Sequence, residues 1–358
     1  MKNNNFKARI IAFYLPQFHP IEENNKWWGK GFTEWTNVGK AKPLFEGHKQ
    51  PKLPADLGYY DLRVKETRRE QAKLAKEHGV EAFCYWHYWF AGKQLLELPF
   101  QEVVKDKEID FPFCLGWANQ TWSGIWHGAP DKILIEQTYP GIEDYKKHFY
   151  SLLEAFKDER YMKIDGKLVF LIYNPKNLPD AKEFTKYWRE LAQKEGLNGF
   201  HFIAHLSNEA RKYGCDSCVE NAPFLTMKAT MKGVKYLDSI EQPTVYEYKD
   251  LVNYSTKYQL NLDENELPLV MPNWDNTPRS KGRGVVLEGS TPELFKEILH
   301  NTIQKVKKSY KEEYQIIFVK AWNEWAEGNY LEPDSEFGLQ YLEALREELI
   351  CISYVNKE

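Results

Sequence analysis

Cysteine is scarce in this chain. Its 358 residues include five, Cys84, Cys114, Cys215, Cys218 and Cys351, an odd number too sparse for a disulfide framework. The CxxC formed by Cys215 and Cys218 has no second CxxC and no thioredoxin-like surroundings, so zinc and redox roles are not expected from it. Long apolar runs are also missing: no stretch approaches the roughly 18 consecutive apolar residues of a membrane span. At the start, Arg9 lies beside a short apolar run with no small-residue cleavage site after it, which predicts no secretory signal. Nor is there an excess of one charge. The 48 basic and 52 acidic residues leave a net charge of -4 and are mixed along the length, whereas a nucleic-acid surface needs a clustered positive field. The region after the first apolar run has Gly29 and Gly31 but no G-x-G-x-x-G, and no P-loop occurs elsewhere. These absences predict a cytoplasmic protein with no cofactor, no nucleic-acid partner and no membrane span.

Aromatic residues, by contrast, are abundant. They make up 15% of the chain, with 12 Trp and 22 Tyr, and many alternate with polar residues instead of sitting in plain apolar runs. Tryptophan is large and keeps an N–H that is awkward to bury, so this interleaving suits a wall that stacks against a flat polar ligand, a sugar or a base, of which the charge balance disfavours the second.

Short apolar runs alternate with helical patterns. Strands are expected at 8–16, 80–89, 110–118, 167–175, 200–206, 217–223, 267–278 and 314–325. Helices are expected at 63–79, 96–106, 141–161, 180–197, 291–310 and 338–349. Eight strands alternating with helices predict an α/β fold, a (β/α)8 TIM barrel with long βα loops. It is read as one domain over 8–347 with a tail at 348–358. Such barrels carry their working residues at the C-terminal strand ends, and polar and aromatic clusters fall there repeatedly. Strand one ends in Tyr14, Gln17 and His19 and runs on to Glu34 and Trp35. Strand two supplies Trp86, His87 and Tyr88; strand three Trp117, Asn119, Gln120, Trp122 and Trp126; strand four Tyr173 and Asn174. Strand seven supplies Asn273, Trp274 and Asp275, and strand eight Asn323, Glu324, Trp325 and Glu327.

These residues do not all argue equally. His87 suits a satisfied core histidine as well as a ligand contact, and Glu34 suits a cap or a lysine partner. His19, His87 and Asp275 lack metal-motif spacing, so no metal is expected. Glu324 and Glu327 stand apart, because a carboxylate is rarely buried unpaired. Two of them beside Trp322 and Trp325 predict raised and split pKa values, the condition for acid–base work. Ordinary retaining glycosidases hold two carboxyls about 5 to 5.5 Å apart across the anomeric carbon. Close spacing in the chain also suits another arrangement: one glutamate draws the proton from the 2-hydroxyl, whose oxygen attacks C1, while the other protonates the leaving oxygen.

The blocks IAFYLPQFHP, GFTEWTNV, YWHYWF, GWANQTW, NWDNTPR and KAWNEWAEGNYLEPD, in this order, resemble the WbsX-type family of bacterial polysaccharide-locus proteins, commonly labelled glycosyltransferase. That family is similar to the family 99 glycoside hydrolases, endo-α-mannosidases and endo-α-mannanases on (β/α)8 barrels. The resemblance implies a free or lipid-linked oligosaccharide or polysaccharide as substrate. It places the 2-hydroxyl base at Glu324 and the general acid/base at Glu327, with Asn323 kept and a route through a 1,2-anhydro sugar with net retention. Ala326 stands where the hydrolases have histidine. A glycosyltransferase of O-antigen or capsule assembly is the second reading, and a non-catalytic sugar-binding barrel the third.

Overall fold

The computed structural model describes residues 6–124, 129–219, 227, 229–259, 263 and 265–350. Nine strand segments form a nearly closed parallel barrel: β1 (Arg9–Tyr14), β2 (Val80–Phe90), β3 (Phe113–Trp117), β4 (Lys167–Ile172), β5 (Phe200–Ala204), β6 (Ser217–Val219), β7 (Glu266–Leu267), β8 (Leu269–Val270) and β9 (Ile316–Val319). Their order is β7-β6-β5-β4-β3-β2-β1-β9-β8. The two ends of that order flank Pro268, so β7 and β8 are one strand interrupted at a residue that has no N–H for the ladder. The strands are buried almost throughout, as parallel strands between a filled interior and a helical layer must be. Inside, the Phe13 ring stacks on Trp86 at 4.8 Å and on Phe318 at 5.2 Å. Outside, helices Lys65–Glu77, Leu98–Lys105, Ile142–Ser151, Ala181–Lys194, Tyr248–Gln259, Pro292–Ser309 and Gln340–Leu349 cover the wall.

The expected barrel is therefore present, with three local differences. The seventh strand does not run through to 278. Trp274–Asp275 has left the barrel and pairs antiparallel with Val285–Glu288, which in turn pairs with Thr244–Glu247. The eighth strand stops at Val319, because Trp322 N–H bonds the Phe13 carbonyl at 2.8 Å and draws the chain across the barrel mouth. Helix Tyr248–Gln259 was not foreseen. Of the sixth strand, Ser217–Val219 is in place, while 220–223 and the tail from 351 lie outside the described residues. Cys215 and Cys218 are free and buried, and burial pushes each thiol up to about 12. Among the described residues, no helix is long and apolar enough to cross a membrane.

Candidate active site

Beyond β9 the chain makes a hairpin, Asn323–Glu324 against Asn329–Tyr330, with Trp325–Glu327 as a single 3-10 turn at its tip. Residues three apart eclipse in such a turn, so Glu324 and Glu327 project side by side over the C-terminal mouth of the barrel. Gly328 ends the turn at φ +52°, packed so closely on Asp275 that a Cβ would meet its backbone nitrogen at 2.8 Å. Asp275 is itself fixed by His48 Nε2–H (2.7 Å) and Gln50 Nε2–H (2.6 Å). It also accepts bonds from the Thr277 N–H and hydroxyl, starting the short helix Thr277–Ser280 that presents Arg279.

Arg279 binds the acids together. Its Nη1 donates to Glu327 Oε1 at 2.7 Å and its Nη2 to Glu34 Oε1 at 2.6 Å, and Nη1 lies 3.7 Å from Glu324 Oε2. Glu34 opens helix Glu34–Lys40 and is fully buried. It also accepts the Ala326 N–H at 3.1 Å, tying the hairpin tip to the loop after β1. A second cation, Lys320, leaves β9 with its ammonium 3.8 Å from Glu327 Oε2 and 5.0 Å from the centre of the Trp274 ring. Trp86 Nε1–H donates to Glu324 Oε1 at 3.1 Å.

These neighbours split the two carboxyls. Burial, then the charge of Glu327, pushes Glu324 up to about 8. Burial alone would raise Glu327 as well, but Arg279 and Lys320 overcome it and hold Glu327 below the usual carboxylate range. Three carboxyls thus face two cations, and burial raises Glu34 as well as Glu324, so within the pair of Glu324 and Glu327 it is Glu324 whose surroundings favour the protonated form. A pair whose environments divide it in this way can give a proton to one atom and take one from another.

Among the expected site residues, Glu34, Trp86, Glu324 and Glu327 meet here, with Trp274 under Lys320. Tyr88 and Tyr173 sit within the same field: burial and then Glu324 hold the Tyr88 hydroxyl up, and Tyr173 feels Lys320 and both acids. Trp122 is half-buried against Tyr88 at 4.9 Å. Other residues have their polar atoms committed to the scaffold. Tyr14 donates to Gln71, and Asn323 holds the Leu15 backbone at 2.7 and 3.1 Å. Trp35 donates to the Tyr60 carbonyl and Trp117 to that of Trp89. Trp325 stacks on Tyr330 at 3.8 Å and donates to Glu332. The Asn119 side chain donates to the Asn174 carbonyl and accepts the Asn174 N–H, while Asn174 Oδ1 is buried with no hydrogen-bond partner among the described residues. Asn273 accepts the Tyr330 N–H, and His19 bonds the Pro16 carbonyl. His87 faces His148 at 2.8 Å in the helical layer, where burial pushes it down to about 3; this is the core-histidine reading. Gln17 and Gln120 are half-buried, and Trp126 lies outside the described residues. Arg279, Lys320 and the buried acceptor Glu332 were not singled out from sequence, although all three stand in the blocks quoted above. The missing signal was charge balance: buried acids require cations.

The family described as Glycosyltransferase WbsX matches residues 10–345. The chain belongs to this family. A relative, the uncharacterized protein WxcX of Xanthomonas campestris pv. campestris strain B100, is 38% identical over 347 residues, which is 96% of this chain and 50% of that protein. The chain thus spans about half the length of the curated relatives it matches. Among solved structures, a glycoside hydrolase-like protein aligns with a TM-score of 0.60 at 14% identity, covering 98% of this chain and 96% of that one. The family 99 endo-α-mannosidase of Bacteroides thetaiotaomicron aligns with a TM-score of 0.54 at 14% identity, covering 95% of each chain. At such identities the likeness establishes a glycosidase-like barrel for this WbsX-family chain and leaves its chemistry to be argued from the site.

Proposed function

We propose that this chain is an enzyme that breaks α-linked glycosidic bonds in a free or lipid-linked glycan with net retention. Glu324 is the base at the 2-hydroxyl and Glu327 the general acid/base. The observation that carries the reading is the placement of two buried carboxyls at the barrel mouth around one guanidinium, Arg279 Nη1 lying 2.7 Å from Glu327 and 3.7 Å from Glu324. These surroundings push Glu324 up to about 8 and hold Glu327 down. In the first step Glu324 takes the O2 proton, O2 attacks C1, the C1–oxygen bond breaks and Glu327 protonates the leaving oxygen. In the second step an incoming hydroxyl opens the anhydro ring at C1, gives its proton to Glu327, and Glu324 returns the other to O2. Two inversions at C1 give retention. The resting proton is on Glu324, so it must pass to Glu327 before the bond breaks. Both carboxyls face the same Arg279 Nη1, at 2.7 and 3.7 Å, which keeps that transfer within the pair.

The test is cleavage of α-linked aryl glycosides and oligosaccharides by wild type and Glu327→Ala, with the released anomer followed by NMR. Activity with retention, reduced about 100-fold or more in the variant, is expected; first release of the inverted anomer sinks the anhydro route. The second reading, a glycosyltransferase of O-antigen or capsule assembly, is favoured by the family's own description. Silence across the panel together with binding of a sugar nucleotide selects it. A sugar-binding barrel without catalysis is selected by glycan binding that leaves every bond intact.

A further inference from the structure

Lys320 is the cation of the site that makes no side-chain hydrogen bond among the described residues. Arg279 is used at both ends of its fork, on Glu34 and Glu327. The Lys320 ammonium carries three donors, yet the nearest carboxylate oxygen, Glu327 Oε2, lies 3.8 Å away, beyond hydrogen-bonding distance. Glu327 Oε2 is itself buried without a hydrogen-bond partner among the described residues. An unused donor and an unused acceptor therefore face each other across a gap too wide for one hydrogen bond. The Lys320 side chain is one-seventh exposed, at 14%, and the Trp274 ring below holds the ammonium in place.

A hydroxyl is the group that completes this arrangement. It accepts from an ammonium and donates to a carboxylate at once, and its oxygen reaches both atoms at about 2.8 Å. An ionised carboxylate or a fully ionised phosphate has no proton to give Glu327, and an ammonium cannot accept from Lys320. We propose that Lys320 is a substrate-contacting, specificity-determining residue: its ammonium donates to an uncharged sugar hydroxyl that in turn donates to Glu327 Oε2. This deepens the reading above and rests on its premise that a glycan is the ligand. It assigns Trp274, on this face, to orienting Lys320 and not to stacking on the sugar. It also ties recognition to chemistry, because the hydroxyl lies against the acid/base itself.

The experiment measures binding by calorimetry and turnover for α-linked disaccharides of mannose, glucose and galactose and their aryl glycosides, with wild type, Lys320→Met and Lys320→Arg. Monodeoxy analogues of whichever sugar binds are then titrated. Lys320→Met is expected to raise Kd or KM about 10- to 100-fold, the range for a charged hydrogen bond, with a smaller change in kcat, and Lys320→Arg to recover part of the loss. Removing the contacted hydroxyl should weaken wild type by a similar factor and Lys320→Met by little more. Affinity within about threefold of wild type in Lys320→Met overturns the inference. So do deoxy penalties equal in both proteins, a comparison that includes wild type and survives a poorly folded variant. Binding without turnover, lost in Lys320→Met, keeps Lys320 in its role and overturns the hydrolytic reading. Wild type that binds nothing in the panel overturns both.

Discussion

Replacing Arg279 with methionine removes the partner common to Glu34 and Glu327 while keeping much of the side-chain volume. Breaking a buried ion pair from one side costs about 3–5 kcal/mol. With an unfolding entropy of about 2.1 cal/mol/K per residue over 358 residues, the midpoint falls by about 4–7 °C at pH 8. The loss must depend on pH, and in a definite direction. In wild type the folded state holds Glu327 below its ordinary value of 4.5, so this group stabilises the fold above that pH. Without Arg279, burial dominates: Glu34, already raised by burial, rises further, and Glu327 moves above 4.5. A raised carboxylate costs nothing below its unfolded pKa and its full penalty above its folded one. Thermal unfolding of Arg279→Met and wild type at pH 5 and pH 8 therefore gives a wide gap at pH 8 that narrows to less than about half at pH 5. Arg63→Ala, which breaks an exposed bridge to Asp61, is the control and moves stability by at most about 1 kcal/mol. An Arg279→Met deficit equal at both pH values means that packing, not charge, was lost, and refutes the charge-balance account.

Three further outcomes follow from the same geometry. Glu324→Gln and Glu327→Gln each reduce turnover by about 10²–10⁴, measured on the substrate the glycan panel identifies. In wild type kcat/KM declines above about pH 8, where the pair gives up the proton on Glu324; a pH profile of Glu324→Gln lacks that limb. Gly328→Ala puts a Cβ against the Asp275 backbone in a left-handed conformation, so calorimetry shows about 1–3 kcal/mol of destabilisation and activity falls with the displaced Glu327.

The barrel was legible because its signals are local. Buried parallel strands read as apolar runs, and the helix limits expected at residues 79 and 291 lie close to the observed ends at Glu77 and Pro292. The acids were legible for the same reason: Glu324 and Glu327 are neighbours in the chain. What links them was not, since Arg279 meets Glu34 across 245 positions and only folding creates that pair. Sequence also cannot separate a polar side chain aimed into a cleft from one that bonds an adjacent loop. Asn323 and Asp275 look alike as strand-end residues, yet they spend their oxygens on Leu15 and on His48, Gln50 and Thr277. Pro268, by contrast, was visible at the start of the seventh strand, and its missing N–H is why that strand is divided.

The transferase description of the family and the hydrolase-like barrel do not require different sites. In the proposed route the anhydro sugar waits at C1 for any hydroxyl whose proton Glu327 can take, and water and a sugar hydroxyl differ only in how they are held there. A group that must donate to Glu327 while the barrel mouth is crowded by Trp86, Tyr88 and Tyr173 benefits from being positioned, because orienting a reactant replaces an entropic cost that water at high concentration does not face. Adding a sugar acceptor at rising concentration to a wild-type reaction should then divert product from hydrolysis to a new α-linked glycan, in proportion to acceptor occupancy and with the anomeric configuration kept. Lys320→Met should change the acceptor concentration needed if Lys320 holds the incoming hydroxyl, and leave it unaltered if the lysine holds the sugar that is cleaved. Transfer product with inverted configuration would show that acceptor and leaving group do not share Glu327, and the single-pair mechanism would have to be given up.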